Sequence, residues 1–172
     1  MQSSFESKLP KLGISIFTEM SLLATQHKAI NLSQGFPEFE PPELLKEQIN
    51  LAITSGKNQY CPSAGFPDLL SEIAELVIRC YQNDFNETEK VNGLTNVTVT
   101  SGATEALWVA IQTIVRSGDE VIVFDPAYDS YEPAIELAGG ICRHIELKTP
   151  DYKVDWSLVK QAINSKTRAI II

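Results

Sequence analysis

From residue 97 onward the apolar positions fall into two alternating rhythms. Short runs at Val97–Val99, Glu120–Phe124, Gly140–Leu147 and Arg168–Ile172 read as strands, and the stretches between them, Glu105–Val115, Ser130–Leu137 and Ser157–Asn164, repeat at helical spacing. Such alternation predicts an α/β sheet with helical crossovers. The runs VIVF and AIII are apolar at every position, the pattern of strands covered on both faces.

Upstream the rhythm is helical, broken by Pro and Gly. Between Leu12 and Ala29, Ile16, Met20, Leu23 and Ala24 share one face, predicting an amphipathic arm helix. The segment INLSQGFPEFEPPE carries one Gly and three Pro, which forbids regular structure and suggests a rigid, shaped loop. In ELLKEQINLAITSG, Leu44, Ile49 and Ala52 recur helically, with Pro42 suited to the first turn and Gly56 to the stop. After a second structured loop, NQYCPSAGFPD, a further helix is expected with Asp68 as its cap and Leu69, Ile73, Leu76, Val77 and Cys80 buried. Asp84, Glu87 and Glu89 read as a solvated acidic loop.

Two regions follow from this: residues 1–41 as an arm and loop, and 42–172 as the front of an α/β domain. The last residues, Arg168 to Ile172, form an apolar strand with no following loop or helix, so we expect the sequence to be a fragment of a larger fold. No internal repeat or low-complexity tract stands out.

Composition narrows the function classes. The chain has 172 residues, 44% of them hydrophobic, enough for one real core. Its formal charge of −8, with no run of Lys or Arg, argues against a nucleic-acid or anionic-membrane surface. Cys61, Cys80 and Cys142 are odd in number and widely separated, with no CxxC and no His cluster. That pattern disfavours disulfides and a metal site, and suggests buried or half-buried thiols in a reducing cytoplasm. No uncharged apolar run approaches the ~18 residues of a membrane span.

The break at Ser101-Gly102-Ala103-Thr104 bears most directly on chemistry. A strand entering a helix there brings unpaired backbone N–H groups and the positive end of a helix dipole to one point, and small side chains admit an anion. An ordinary capped helix start with Glu105 nearby explains the same residues equally well. The motif is neither GxxxxGK[ST] nor GxGxxG. The next strand ends in FDPAYDSYEP, which places Asp125, Pro126 and Tyr128 at the carboxyl end, where open α/β sheets bind ligands. Tyr128 is then either a ring to stack on a planar ligand or one packed over its own loop.

Taken in order, NLSQGFPEFEPP, NQYCPSAGFPDLLSEIA, VTSGATEALWVAI and GDEVIVFDPAYDSYEPAIELAGG resemble the first half of a class I/II pyridoxal-phosphate aminotransferase of fold type I. The pattern is most like the kynurenine and methionine aminotransferase group and covers Leu12 to Ile172. The resemblance implies the N-terminal arm and part of the parallel-rich large domain of that fold. It also implies that the amides of Ala103 and Thr104, after Gly102, hold the cofactor phosphate and that Tyr128 stacks on the pyridine ring. By the same resemblance Tyr60 reaches across a homodimer interface to the other subunit's phosphate, Gly35 lies where the substrate carboxylate passes, and Ile14 lines the side-chain pocket.

In that family pyridoxal 5'-phosphate withdraws electrons from the substrate α-carbon while a lysine forms the Schiff base and moves the proton. The resemblance puts that lysine, the ring-contacting Asn, Asp and Tyr, and the carboxylate-gripping Arg beyond the equivalent of Ile172, so no catalytic residue is assigned. Lys160 completes a bare SxxK but falls on the solvent side of a crossover helix, and the other lysines sit in polar or loop contexts. His144 reads as a surface or edge residue of its strand, and His27 follows a helix end. The implied activity is transfer of an amino group from an aromatic or sulfur-containing amino acid to a 2-oxo acid. A carbon–sulfur lyase of the same fold would carry the same motifs. The reading from another class is a truncated, non-catalytic polypeptide that at most binds phosphate or associates.

Overall fold

The computed structural model describes residues 6–35, 37–81 and 91–172; the expected acidic loop at Asp84, Glu87 and Glu89 lies outside them. Among the described residues the elements run α1 (Ile16–Gln26), α2 (Glu43–Thr54), α3 (Pro67–Cys80), α4 (Gly93–Asn96), α5 (Ala103–Ile114), β1 (Glu120–Asp125), α6 (Tyr131–Leu137), β2 (Ile141–Glu146), α7 (Trp156–Ala162) and β3 (Thr167–Ile171). They divide between two units, Met1–Ala29 with Ser101–Ile172, and Ile30–Thr100.

The first unit is built on a parallel sheet of order β2-β1-β3. Alternate residues of β1 feed two cores. Val121 and Val123 pack with Ile111 and Val115 from the α5 side and with Ala134 and Ile135 of α6. Ile122 and Phe124 pack on the opposite face with Ile145 and with Val159 of α7. The β1-to-β2 and β2-to-β3 crossovers therefore cover opposite faces, and the chain switches sides across β1. In open α/β sheets that switch, at the carboxyl ends of the strands, is where ligands bind.

Only β1 shows the double-sided burial its apolar run predicts. Glu120 through Phe124 are buried, whereas β2 and β3 alternate or stay exposed, because in this three-stranded sheet both are outer strands. Val97–Val99, expected as a strand, is extended but joins no ladder. Its backbone partner is a loop, Val99 N–H donating to the Ala64 carbonyl at 2.8 Å, and a ladder needs another strand.

In the second unit the helix over 67–80 forms as expected, but its buried side is Leu70 and Ala74, with Leu69, Leu76 and Cys80 exposed. The helix is rotated because α4 lies against it. A Cβ on Gly93 would sit 2.5 Å from the Leu70 carbonyl oxygen, so only glycine allows that approach. Asp68 is not the cap; Phe66 precedes Pro67 at the first turn, and Asp68 contributes only its charge there. The helix over 43–54 buries none of its side chains, leaving Leu44 and Ile49 exposed. Cys61 and Cys80 are exposed rather than buried, and only Cys142 is half-buried; burial, with Glu132 and Asp125 nearby, pushes its thiol up to about 12. No described helix is long and apolar enough to cross a membrane.

At the amino end of the sheet a buried carboxylate ties the three strands. Glu120, its side chain 5% exposed, accepts from Arg143 Nη2 of β2 at 2.7 Å and from Asn164 Nδ2, between α7 and β3, at 2.9 Å. These two donors, against opposing desolvation, hold its carboxyl down from an ordinary 4.5 to about 2. A carboxyl whose folded value is depressed stabilises the fold above its unfolded value and loses that contribution as it protonates. We predict that stability measured by urea denaturation falls as pH is lowered from about 4.5 toward 2. In Glu120→Gln that fall is reduced, and an unchanged acid limb would show that the carboxylate does not carry it.

Candidate functional site

The first unit gathers most of the residues singled out from the sequence. Gly102 is the N-cap of α5, with φ +86° and ψ 170°. That left-handed backbone disfavours any side chain, yet a Cβ there would meet nothing within 4 Å, so packing alone does not account for the glycine. The space above it is open to a ligand. Ala103 and Thr104, both exposed, supply the first amides of a 12-residue helix, whose N–H groups have no intrahelical acceptor. The Ser/Thr cap expected as the alternative does not form. Instead the Glu105 carboxylate accepts from the Ser101 backbone N–H, one residue before the usual capping-box position. The amides and the helix dipole together suit a phosphate-sized anion.

Helix α5 points this end toward the carboxyl edge of the sheet. Val115, just past its last turn, packs with Val121 at the start of β1. Trp108, nearer its beginning, shares a cleft with Asp129 and Ser130, which follow the end of β1. That cleft holds about 440 Å³ and is also lined by Ile14, 71% exposed, on the approach to α1. Ser130 Oγ is buried beside it without a partner among the described residues.

Tyr128 projects from the loop after β1 as part of an aromatic group. Its ring centroid lies 6.1 Å from that of Phe17 on α1 and 5.8 Å from that of Tyr131 on α6, in tilted and edge-on arrangements. Both neighbours lack a motif of their own. Tyr131 is legible only as the i+3 partner of Tyr128, and Phe17 only once the arm is placed in space. The Tyr128 ring remains half-exposed, leaving surface for a further ring.

Tyr60 and Gly35 belong to the second unit. Tyr60 is fully exposed and lines a groove of about 390 Å³ with Lys57, Cys61 and Phe66, where the Lys57 ammonium stands 5.6 Å from the Phe66 ring centroid. Gly35 is exposed in the Pro-rich loop, whose start is fixed by Asn31 Oδ1 accepting from the Ser33 N–H at 3.0 Å. A Cβ on Gly35 would meet nothing within 4 Å. Lys160, on α7, is exposed. No group of three or more metal-ligating side chains occurs among the described residues.

The first unit is thus an α/β unit with crossover helices on both faces of a parallel sheet, a glycine-initiated helix and an aromatic group after its central strand. The family model for aminotransferase class I and II matches residues 27–172, and the chain belongs to that family. The methionine aminotransferase of Escherichia coli K12 is 48% identical over 169 residues, spanning 97% of this chain and 42% of that protein. Human kynurenine–oxoglutarate transaminase 3 is 34% identical over 176 residues, spanning 96% of this chain and 37% of that protein. Among solved structures, YbdL from Escherichia coli, whose crystal structure and reactivity identify a methionine aminotransferase function, superposes with a TM-score of 0.87. The match has 47% identity and covers 96% of this chain and 42% of that one. The chain thus spans about two fifths of the length of these relatives.

The glycine at the start of α5 offers a direct check. Gly102→Ala keeps the space but forces a side chain into a positive-φ region that is essentially reserved for glycine, at a cost of about 1–3 kcal/mol. We expect a lower denaturation midpoint with unchanged helix content by circular dichroism, and weaker binding of inorganic phosphate; unaltered phosphate affinity would separate this backbone from any anion.

Proposed function

We propose that this protein is a pyridoxal-phosphate-dependent amino-acid transaminase, moving an amino group from an aromatic or sulfur-containing amino acid to a 2-oxo acid. The observation that carries the reading is the pairing, in one unit, of an open glycine-initiated helix start with the half-exposed Tyr128 ring beyond β1. Family membership and the similarity to methionine and kynurenine aminotransferases support it.

Bound pyridoxal 5'-phosphate supplies an electron sink for the substrate α-carbon. The chain's own residues bind and orient it. The amides of Ala103 and Thr104, exposed by Gly102, hold the phosphate, and Tyr128, braced by Phe17 and Tyr131, covers one face of the pyridine ring. Ile14 lines the substrate side-chain cleft, with Trp108 opposite as an apolar wall. Gly35 leaves room for the substrate carboxylate, and Tyr60, projecting fully into solvent, reaches the phosphate site of the other subunit of a homodimer. No described lysine is assigned the covalent link. Residues 1–41 are the arm and substrate-side loop, and 42–172 the front half of the cofactor-binding domain. The enzyme works in the cytoplasm on small molecules, without nucleic acid or membrane as partner.

The test is an amino-donor screen of the whole protein with pyridoxal phosphate, methionine, phenylalanine or kynurenine, and a 2-oxo acid acceptor, following the new amino acid formed from the acceptor. Release of ammonia and a thiol without amino transfer would make the protein a lyase instead. In the same protein Tyr128→Ala should weaken pyridoxal phosphate by about 0.5–1.5 kcal/mol, or about 2- to 12-fold in Kd. An unchanged Kd would remove Tyr128 from the site.

A further inference from the structure

The reaction outlined above gives no task to the one imidazole at the carboxyl edge of the sheet. His144 lies on β2, on the same face as Cys142, which packs beside Ala134 and Ile135 of α6. Its Nδ1 is 3.1 Å from Oδ1 and 3.0 Å from Oδ2 of Asp125, and its Nε2 is 3.5 Å from Oε1 of Glu132. Asp125 is the last residue of β1 and Glu132 stands in the first turn of α6. The segment between them carries Tyr128. One ring therefore touches both ends of the loop that presents the stacking aromatic.

A neutral imidazole has one N–H and can donate to only one of these carboxylates, whereas the imidazolium has two and can serve both. The groups facing it are acidic: Asp125 of β1 and Glu132 of α6 in contact, and Glu136, the next acidic side chain along α6, beside Cys142. On β2 itself Cys142 holds its proton up to about 12, Glu146 is exposed, and Arg143 points to the opposite face, where it pairs with Glu120. The hydrogen bond that His144 donates to Asp125, partly opposed by desolvation and reinforced by the charges of Asp125 and Glu132, raises the imidazole above its ordinary 6.5.

We propose that His144 is a positioning residue for the cofactor ring: its imidazolium bridges Asp125 and Glu132, closes the 125–132 loop and holds Tyr128 at its stacking angle. The inference rests on the reading of Tyr128 as the stacking residue. Because the folded value is raised, the bridge is complete at and below the ordinary 6.5 and is lost as pH rises through the raised value. The loop then loses one of its two carboxylate contacts to the imidazole, and Tyr128 samples more orientations. The side chains involved are half-exposed, so the effect is one of orientation more than of fold stability.

Two measurements on the whole protein test this. Imidazole NMR, with His144→Gln assigning the resonance, should show His144 titrating above 6.5, and Asp125→Asn and Glu132→Gln should each lower the midpoint; titration at or below the ordinary value overturns the bridge. The second measurement is pyridoxal phosphate affinity at pH 6 and pH 9 for the wild type, His144→Gln, Tyr128→Ala and the double variant. His144→Gln should weaken binding about 2- to 10-fold at pH 6, the size of one lost side-chain constraint, and little at pH 9. In the Tyr128→Ala background it should have no further effect. Equal losses at both pH values, or a loss that persists without Tyr128, would mark His144 as merely structural. If Tyr128→Ala weakens binding but His144→Gln does not, the positioning role alone fails. If Tyr128→Ala leaves affinity unchanged, the stacking assignment fails and takes this inference with it. Should His144→Gln fold poorly by circular dichroism, Glu132→Gln, on an exposed position of α6, must give the same pH-dependent loss in smaller measure.

Discussion

Burial of β1 on both faces is the constraint on which the first unit depends. Val121, Ile122 and Val123 are at most 1% exposed, sealed on one side by α5 and α6 and on the other by α7. Removing such a side chain from water contributes about 1.5–3 kcal/mol, and it does so only where both neighbouring layers are in place. Close packing on two faces leaves the strand no freedom to slide, so both of its ends become fixed points. At the amino end the Glu120 carboxylate binds a donor from β2 and another from the turn into β3. At the carboxyl end the chain is released into the loop that bears Tyr128.

The carboxyl edge of the sheet inherits its geometry from that strand. Helix α5 returns along the sheet because Val115 packs with Val121, and this reversal carries Gly102 and the first amides of the helix toward the edge where β1 ends. The start of α5 and the aromatic group are thus set by core packing some distance away, while their own surfaces stay open. In the second unit Tyr60 and Leu44, Leu45, Ile49, Leu51 and Ile53 of α2 lie exposed.

Much of this was written in local pattern. The alternation of strand and helix from α5 onward, the approximate bounds of α5, β1, α6, β2, α7 and β3, and the helix start at Gly102 follow from periodicity and from glycine's freedom, which act over a few residues. The family emerged from four ordered motifs, none specific alone. What escaped was relational. The stripe of α3 turned toward Leu70 and Ala74 because Gly93 lets α4 approach, and Val97–Val99 lost its strand because its neighbour is the Ala64 loop. Neither neighbour is visible from the helix or the extended run itself.

The sequence by itself determined the fold class, the position of the glycine-initiated helix and the aromatic after β1, because backbone propensity and hydrophobic spacing are short-range properties. Tertiary structure alone decided which strand is central, that Phe17 flanks Tyr128, and that His144 meets Asp125 and Glu132. These contacts join residues far apart in the chain, and their existence depends on strand order and on which face each crossover helix covers. A single strand's pattern carries no information about either.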